Sequence, residues 1–234
     1  MQRQGQNRPH SNRREAGLWL TVSMCMFCLL LNLLCSAASA AAPDLAEPPR
    51  VHLFGTVELR RPLKSLPAWV QLLARNLKEP VFHPDRPFNK KTTWAHLRDG
   101  AADKKGLSLL RYVNAFWNRW PYKEDIHNWG RQDYWEIPAE FLKKSGDCED
   151  YAIIKYFTLK ELGMPPEQMR IVVVRDTLRN LAHAVLVVYL EQDAYVLDNL
   201  SSAVLSHTRL RHYTPQYSVN ESGRWAHLKG RKLP

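Results

Sequence analysis

Pro165 and Pro166, two residues after Gly163, divide this chain into two parts with different periodicities. A helix cannot run through a proline pair, and glycine most readily takes the left-handed turn that ends one. Before the break, apolar residues recur at helical spacing. Leu66–Leu77 carries Trp69, Val70, Leu72, Leu73 and Leu77, and Ser108–Trp120 carries Leu109, Tyr112, Val113, Phe116 and Trp117. The segment from Cys148 to Leu162 reads as an amphipathic helix with Ala152, Ile153, Tyr156, Leu159 and Leu162 as its buried stripe. Shorter helical pieces are expected at Trp94–Leu97 and Pro138–Lys143, the latter with proline in the first turn, where its missing N–H costs nothing. After the break, Ile171–Val174, Ala184–Leu190 and Ala194–Leu197 are β-branched or apolar runs separated by the turn-forming Asp176–Asn180 and Glu191–Asp193. Helices followed by a meander of strands make an α+β layout. Residues 79–92 and 121–133 read as loops, 41–66 as a proline-rich leader with a strand-like patch at Val51–Leu59, and 206–234 receive no assignment.

The start of the chain reads as an address. A basic stretch to Glu15 precedes the apolar run Leu18–Leu34, then small residues from Ser36 to Ala42. That order is a secretory signal peptide over residues 1–40, with Ala38-Ser39-Ala40 as cleavage site and one domain over 41–234. The competing reading is an uncleaved membrane anchor, because the apolar run nears the lower length limit of a span. Of the four cysteines, Cys25, Cys28 and Cys35 leave with the signal and only Cys148 stays. A lone cysteine in an oxidising compartment is either an inert buried thiol or a reactive one.

The formal charge is +10, of which Arg3, Arg8, Arg13 and Arg14 against Glu15 supply a local excess. The remaining cations are scattered, as at Arg60–Arg61, Lys90–Lys91, Lys104–Lys105 and Lys143–Lys144, rather than drawn into one stripe. The pattern argues against nucleic acid as a partner and fits a basic surface that attracts an acidic partner or membrane face.

Around Cys148 the string is Gly146-Asp147-Cys148-Glu149-Asp150. Asp147 is placed to cap the helix that Cys148 opens, and Asp150 lies where an acid reaches back to the cap. The positive end of the helix dipole favours a thiolate at the first helical position, whereas three flanking carboxylates oppose it. Either these acids are caps and a solvated side chain, or they hold a neutralising hard cation such as Ca²⁺. His183 opens the most apolar strand and reads as a hydrogen-bonded core histidine or as the base a thiol nucleophile needs. Asp198 closes the following strand, as a turn residue or as an acid accepting the histidine Nδ1 proton. A tight hairpin near Gln192 sets His183 opposite Ser201 or Ser202, so meeting Asp198 requires stagger, a bulge or a diagonal approach.

These residues, with Met169–Arg175, Val196–Leu200 and the upstream Val113-Asn114, Asn118, Tyr122, Asp125, Trp129, Asp133–Trp135 and Pro138, resemble the bacterial transglutaminase-like cysteine proteases of the LapG type over roughly residues 50–205. The resemblance implies a papain/transglutaminase-like α+β fold, with N-terminal helices, an antiparallel sheet and the nucleophile at a helix N-terminus. It implies a catalytic triad of Cys148, His183 and Asp198, and a calcium site at Asp147, Glu149 and Asp150. The implied activity is a periplasmic, calcium-dependent cysteine endopeptidase. Its implied substrate is the N-terminal region of a large repeat-rich surface adhesin, cut commonly at an Ala-Ala pair, with release of biofilm. The implied partner is an inner-membrane cyclic-di-GMP receptor of the LapD type. Two other functions stand beside this one: a transglutaminase or cell-wall amidase on the same fold, and a non-catalytic calcium-dependent binding module.

Overall fold

The computed structural model describes residues 51–229. The expected signal peptide, its cleavage site and Cys25, Cys28 and Cys35 lie outside the described residues. Among the described residues no helix is long and apolar enough to cross a membrane.

The chain runs β1 (Thr56–Arg61), α1 (Pro67–Asn76), α2 (Trp94–Ala101), α3 (Gly106–Trp117), α4 (Asp125–Trp129), α5 (Pro138–Lys144) and α6 (Cys148–Glu161). There follow β2 (Met169–Asp176), β3 (Leu181–Leu190), β4 (Asp193–Leu197), β5 (Leu205–Ser206), β6 (Tyr213–Val219) and β7 (Arg224–Lys229). The strands form one antiparallel sheet in the order β1-β7-β6-β2-β3-β4-β5. The α+β expectation is met, with the helices ahead of all strands but one.

The strand-like patch expected at Val51–Leu59 is met by β1, shifted to Thr56–Arg61, which pairs with β7 from Thr56↔Lys229 to Arg61↔Arg224. Residues 206–229, which received no assignment, supply β6 and β7. β1 is an edge strand and β7 lies between it and β6; both are half-polar segments, weak as strands by themselves, and β1 is defined by a partner far along the chain. The expected loop at 121–133 contains α4, closed by Gly130 at φ 65. The short turn at Trp94 extends through Gly100, where an added Cβ would meet the Tyr112 hydroxyl at 2.2 Å, so glycine lets α2 approach α3.

α6 is not amphipathic, because every residue from Asp150 to Leu159 is buried. It packs on β2 and β3 to one side and on α3 and α5 to the other; such a central helix has no solvent face to keep polar. It ends as the sequence predicts. Gly163 at φ 94 donates to Lys160 O (3.0 Å) and Met164 donates to Leu159 O (2.9 Å), satisfying two terminal carbonyls.

The sheet is covered on both faces. Ile171, Leu186 and Val188 join the helical core around Trp69, Trp117 and Tyr156. Val172, Val174, Val185 and Val187 pack on the opposite face with Leu53 and Tyr213. Alternate residues of β3 thus enter different cores, which is why that strand reads as unbroken apolar sequence. Trp117 is fully buried and donates its indole N–H to Thr158 Oγ1 on α6 (2.9 Å). Truncating it to alanine costs roughly 3–5 kcal/mol.

Candidate active site

Cys148 takes the first position of α6 and is the free cysteine of the described residues. The turn ahead of it is tight. Ser145 sits at φ 63, and Asp150 folds back so that Oδ2 accepts the Asp147 N–H (3.1 Å) and Oδ1 the Glu136 N–H (2.8 Å). An added Cβ on Gly146 would meet Asp150 Oδ2 at 2.2 Å, which explains the glycine of the Gly-Asp-Cys string. The reach-back expected of Asp150 is made, while Asp147 Oδ1 has no hydrogen-bond partner.

His183 lies near the start of β3 and Asp198 just beyond β4. The two strands turn over Glu191-Gln192 and pair from Leu190↔Asp193 to Leu186↔Leu197. Continuing that register puts Asp198 opposite Val185, on the same face as His183 and diagonal to it, within reach of side chains. The imidazole Nε2 and Asp198 Oδ1 are 2.9 Å apart. The nitrogen meeting the acid is Nε2 rather than the expected Nδ1, which leaves Nδ1 to a partner other than Asp198. The carboxylate is further held by the Leu200 N–H on Oδ1 (2.9 Å) and the Tyr213 hydroxyl on Oδ2 (2.5 Å). Its backbone carbonyl accepts from Asn118, just past the end of α3 (2.8 Å). Burial alone would raise the Asp198 pKa, but the bond and charge of His183, with Tyr213 and Leu200, hold it below the usual value.

Cys148 and His183 open into one cleft of about 180 Å³, walled by Tyr122, Arg179 and Leu200. The Ala184 N–H, next in chain to His183, points at the Cys148 sulfur and favours its thiolate. Other influences win, however. Burial first, then the Glu149 and Asp147 carboxylates, push the thiol well above its ordinary pKa. The thiol donates to Glu149 Oε2 (3.1 Å).

Comparison with known proteins gives the chain a family. The sequence model of the bacterial transglutaminase-like cysteine proteinases (BTLCP) matches residues 88–232, more than half of the chain. The chain belongs to this family. Among solved structures, LapG of Legionella pneumophila is 39% identical over 57% of this chain and 75% of that one, with a TM-score of 0.51. Calcium-bound LapG of the same organism is 34% identical over 67% of this chain and 86% of that one, with a TM-score of 0.53. A comparison with curated proteins gave no match. The BTLCP match runs beyond His207, where the sequence motifs give out, and takes in β6 and β7.

As a BTLCP cysteine proteinase, the chain carries its acids in an unusual concentration. Asp147, Cys148 and Glu149 bring their ligating atoms within 4.8 Å of one another, as do Asp125, Asp133 and Glu149, and Asp125, Glu136 and Asp150. Burial first, then neighbouring negative charge, raises Asp125 to about 6. Glu136 rises to about 7, with burial the leading cause. Asp147, Glu149 and Asp150 are pushed upward as well, with burial leading again. Asp125 Oδ1, Glu136 Oε2 and Asp147 Oδ1 are buried without partners. Among the described residues, no Lys or Arg forms an ion pair with any of these acids. Crowded hard oxygen donors with orphaned lone pairs and no counter-charge suit a divalent cation of the calcium type.

The sequence reading missed Asp125 and Glu136 as members of this cluster and Tyr213 as a partner of Asp198. Asp125 lay in an expected loop, and Tyr213 in the unassigned tail. A signal existed for the first, since Asp125 and Asp133 were among the residues carrying the family resemblance.

Proposed function

We propose that Cys148, His183 and Asp198 are the catalytic triad of a calcium-dependent endopeptidase that cuts the N-terminal region of a large surface adhesin in the periplasm, releasing biofilm. One observation carries the reading: His183, bonded to Asp198, opens into the same small cleft as a cysteine at a helix N-terminus. Calcium binding is supported by the calcium-bound relative and by the orphaned oxygens of the acidic cluster. Asp147, Glu149 and Asp150, with Asp125, Asp133 and Glu136 around them, are the residues that would hold the ion. When bound, it supplies positive charge that cancels the carboxylates raising the thiol pKa.

The chain's own residues do the rest. Glu149 turns from the thiol toward the acidic cluster and frees Sγ for His183. The imidazole takes the thiol proton on Nδ1 while Asp198 holds Nε2–H and stabilises the imidazolium. The thiolate attacks the peptide carbonyl, and backbone N–H groups at the head of α6 steady the oxyanion. His183 returns the proton to the leaving amine, and water, deprotonated by the same imidazole, hydrolyses the thioester. Tyr213 acts as a positioning residue, fixing the carboxylate that fixes the ring. Sequestration by an inner-membrane cyclic-di-GMP receptor of the LapD type is part of this proposal.

The test is cleavage of an adhesin N-terminal fragment by purified protein with calcium. The account expects Cys148→Ala to lose activity by at least about 10³-fold with its fold intact. Equal cleavage by the variant would overturn the assignment.

A further inference from the structure

Beside the catalytic cleft lies a larger groove of about 560 Å³ whose chemistry the proposed reaction does not use. Lys90, Lys91, Arg119, Lys123, Lys143 and Lys144 line it, with no carboxylate among its lining residues. Its remaining wall includes the apolar faces of Trp120, Pro121 and Leu142. Three of the cations already have company: Lys143 lies 3.6 Å from Glu79, Lys144 donates to Asn128 O (2.9 Å), and Arg119 sits over the Phe116 ring. Among the described residues Lys90, Lys91 and Lys123 have no ion-pair partner. Cations scattered in sequence are thus gathered here by the fold, from the loop before α2, the loop after α3 and the end of α5.

The groove and the cleft are lined from neighbouring positions of the same two chain segments. Pro121 and Lys123 line the groove, while Tyr122 between them lines the cleft. Ser145 lines the groove three residues before Cys148. The Lys123 N–H donates to Gly146 O (3.0 Å) and ties the two segments together. An extended polypeptide advances about 3.3 Å per residue, so a few residues of substrate match the three-residue stretch of chain that separates Ser145 in the groove from Cys148 in the cleft.

We propose that this groove is a substrate exosite that binds an acidic stretch of the polypeptide a few residues to one side of the bond cut at Cys148. The proposal rests on the protease reading above and names the recognition element of its substrate. Charge complementarity selects Asp and Glu side chains, and the apolar wall covers their methylene stems. A concave groove close to the cleft suits one extended chain better than a flat anionic bilayer.

Binding and cleavage are measured separately. For binding, the probes are labelled octapeptides of Glu or of Gln, titrated into the full Cys148→Ala protein by fluorescence anisotropy with calcium present. The Glu peptide is expected to bind at least about tenfold tighter than the Gln peptide at low salt, and the difference should shrink at about 0.5 M salt. The exposed double change Lys90→Glu with Lys91→Glu should bring the two affinities close together. For cleavage, wild-type protein is given Ala-Ala peptides flanked by four Glu or four Gln on either side. One Glu-flanked isomer should show a KM about tenfold lower at similar kcat, and the double variant should lose that preference. Equal binding of the two octapeptides, or binding of anionic phospholipid vesicles without the Glu peptide, overturns the exosite. Selective, groove-dependent binding without cleavage of any peptide keeps the acidic-peptide site and counts against the protease reading instead.

Discussion

The two halves of the catalytic cleft are built on opposite terms. On the sheet side, each carboxylate oxygen of Asp198 has a donor, its carbonyl is held by Asn118, and His183 is buried against Tyr213. On the helix side, Cys148 is surrounded by acids that repel one another, raise the thiol pKa and leave three buried oxygens unpartnered. The charge of Asp198 is answered by donors the fold supplies, whereas the helix half has negative charge that the protein does not neutralise. A partly satisfied buried polar cluster is costly, and its persistence beside the nucleophile points to a charge brought in from outside. In the proposed mechanism the base and acid are therefore prepared by folding, and the nucleophile by a bound cation.

Removing that ligand should break the comparison most severely. Chelation is expected to lower peptidase activity by about 10²-fold or more and to lower Tm by several degrees, since a cation bound only by the folded state stabilises it by mass action. Paired activity assays and melting curves in calcium and in chelator check this; full activity in excess chelator would contradict it. The sheet half is expected to respond to a smaller change. Tyr213→Phe deletes one hydroxyl on Asp198 and should lower kcat about tenfold with little change in KM. The acid limb of its pH–rate profile should move as well, and a change in Tm alone would reduce Tyr213 to a structural role.

A further effect concerns stability away from the cleft. His227 on β7 is bonded to Thr56 Oγ1 and Ser218 Oγ, and burial pulls its pKa down to about 4. The unfolded chain takes up this proton near pH ~6.5. The stability held by neutral His227 is therefore complete above that pH and is lost as pH falls toward 4, on the order of 2 kcal/mol. His227→Gln should lose less stability than wild type over that window, read as the difference between their Tm values in calcium.

What could be read from sequence follows the range of the interactions. The Gly146–Asp150 string, the glycine stop at Gly163 and the apolar runs of β2, β3 and β4 are local signals, and each lies where the sequence predicts. Cys148 at the head of α6 follows from the same signals. The pairing of β1 with β7 joins half-polar segments from opposite ends of the described chain, and no local periodicity announces it. Tyr213 reaches Asp198 only because β6 lies against β2, and Asp125 joins the acidic cluster only through the turn that brings α4 beneath Gly146. The approach of His183 to Asp198 depended on a register that composition leaves open, and the two-residue turn at Glu191-Gln192 decides it.

The central claim, that the thiol is made reactive by a cation bound to its flanking acids, is tested most directly by the alkylation rate of Cys148 with iodoacetamide at pH ~7. The account predicts a rate at least about tenfold higher in calcium than in chelator, with the advantage lost in Asp147→Asn. Equal rates in calcium and chelator, or faster alkylation in chelator, would contradict it.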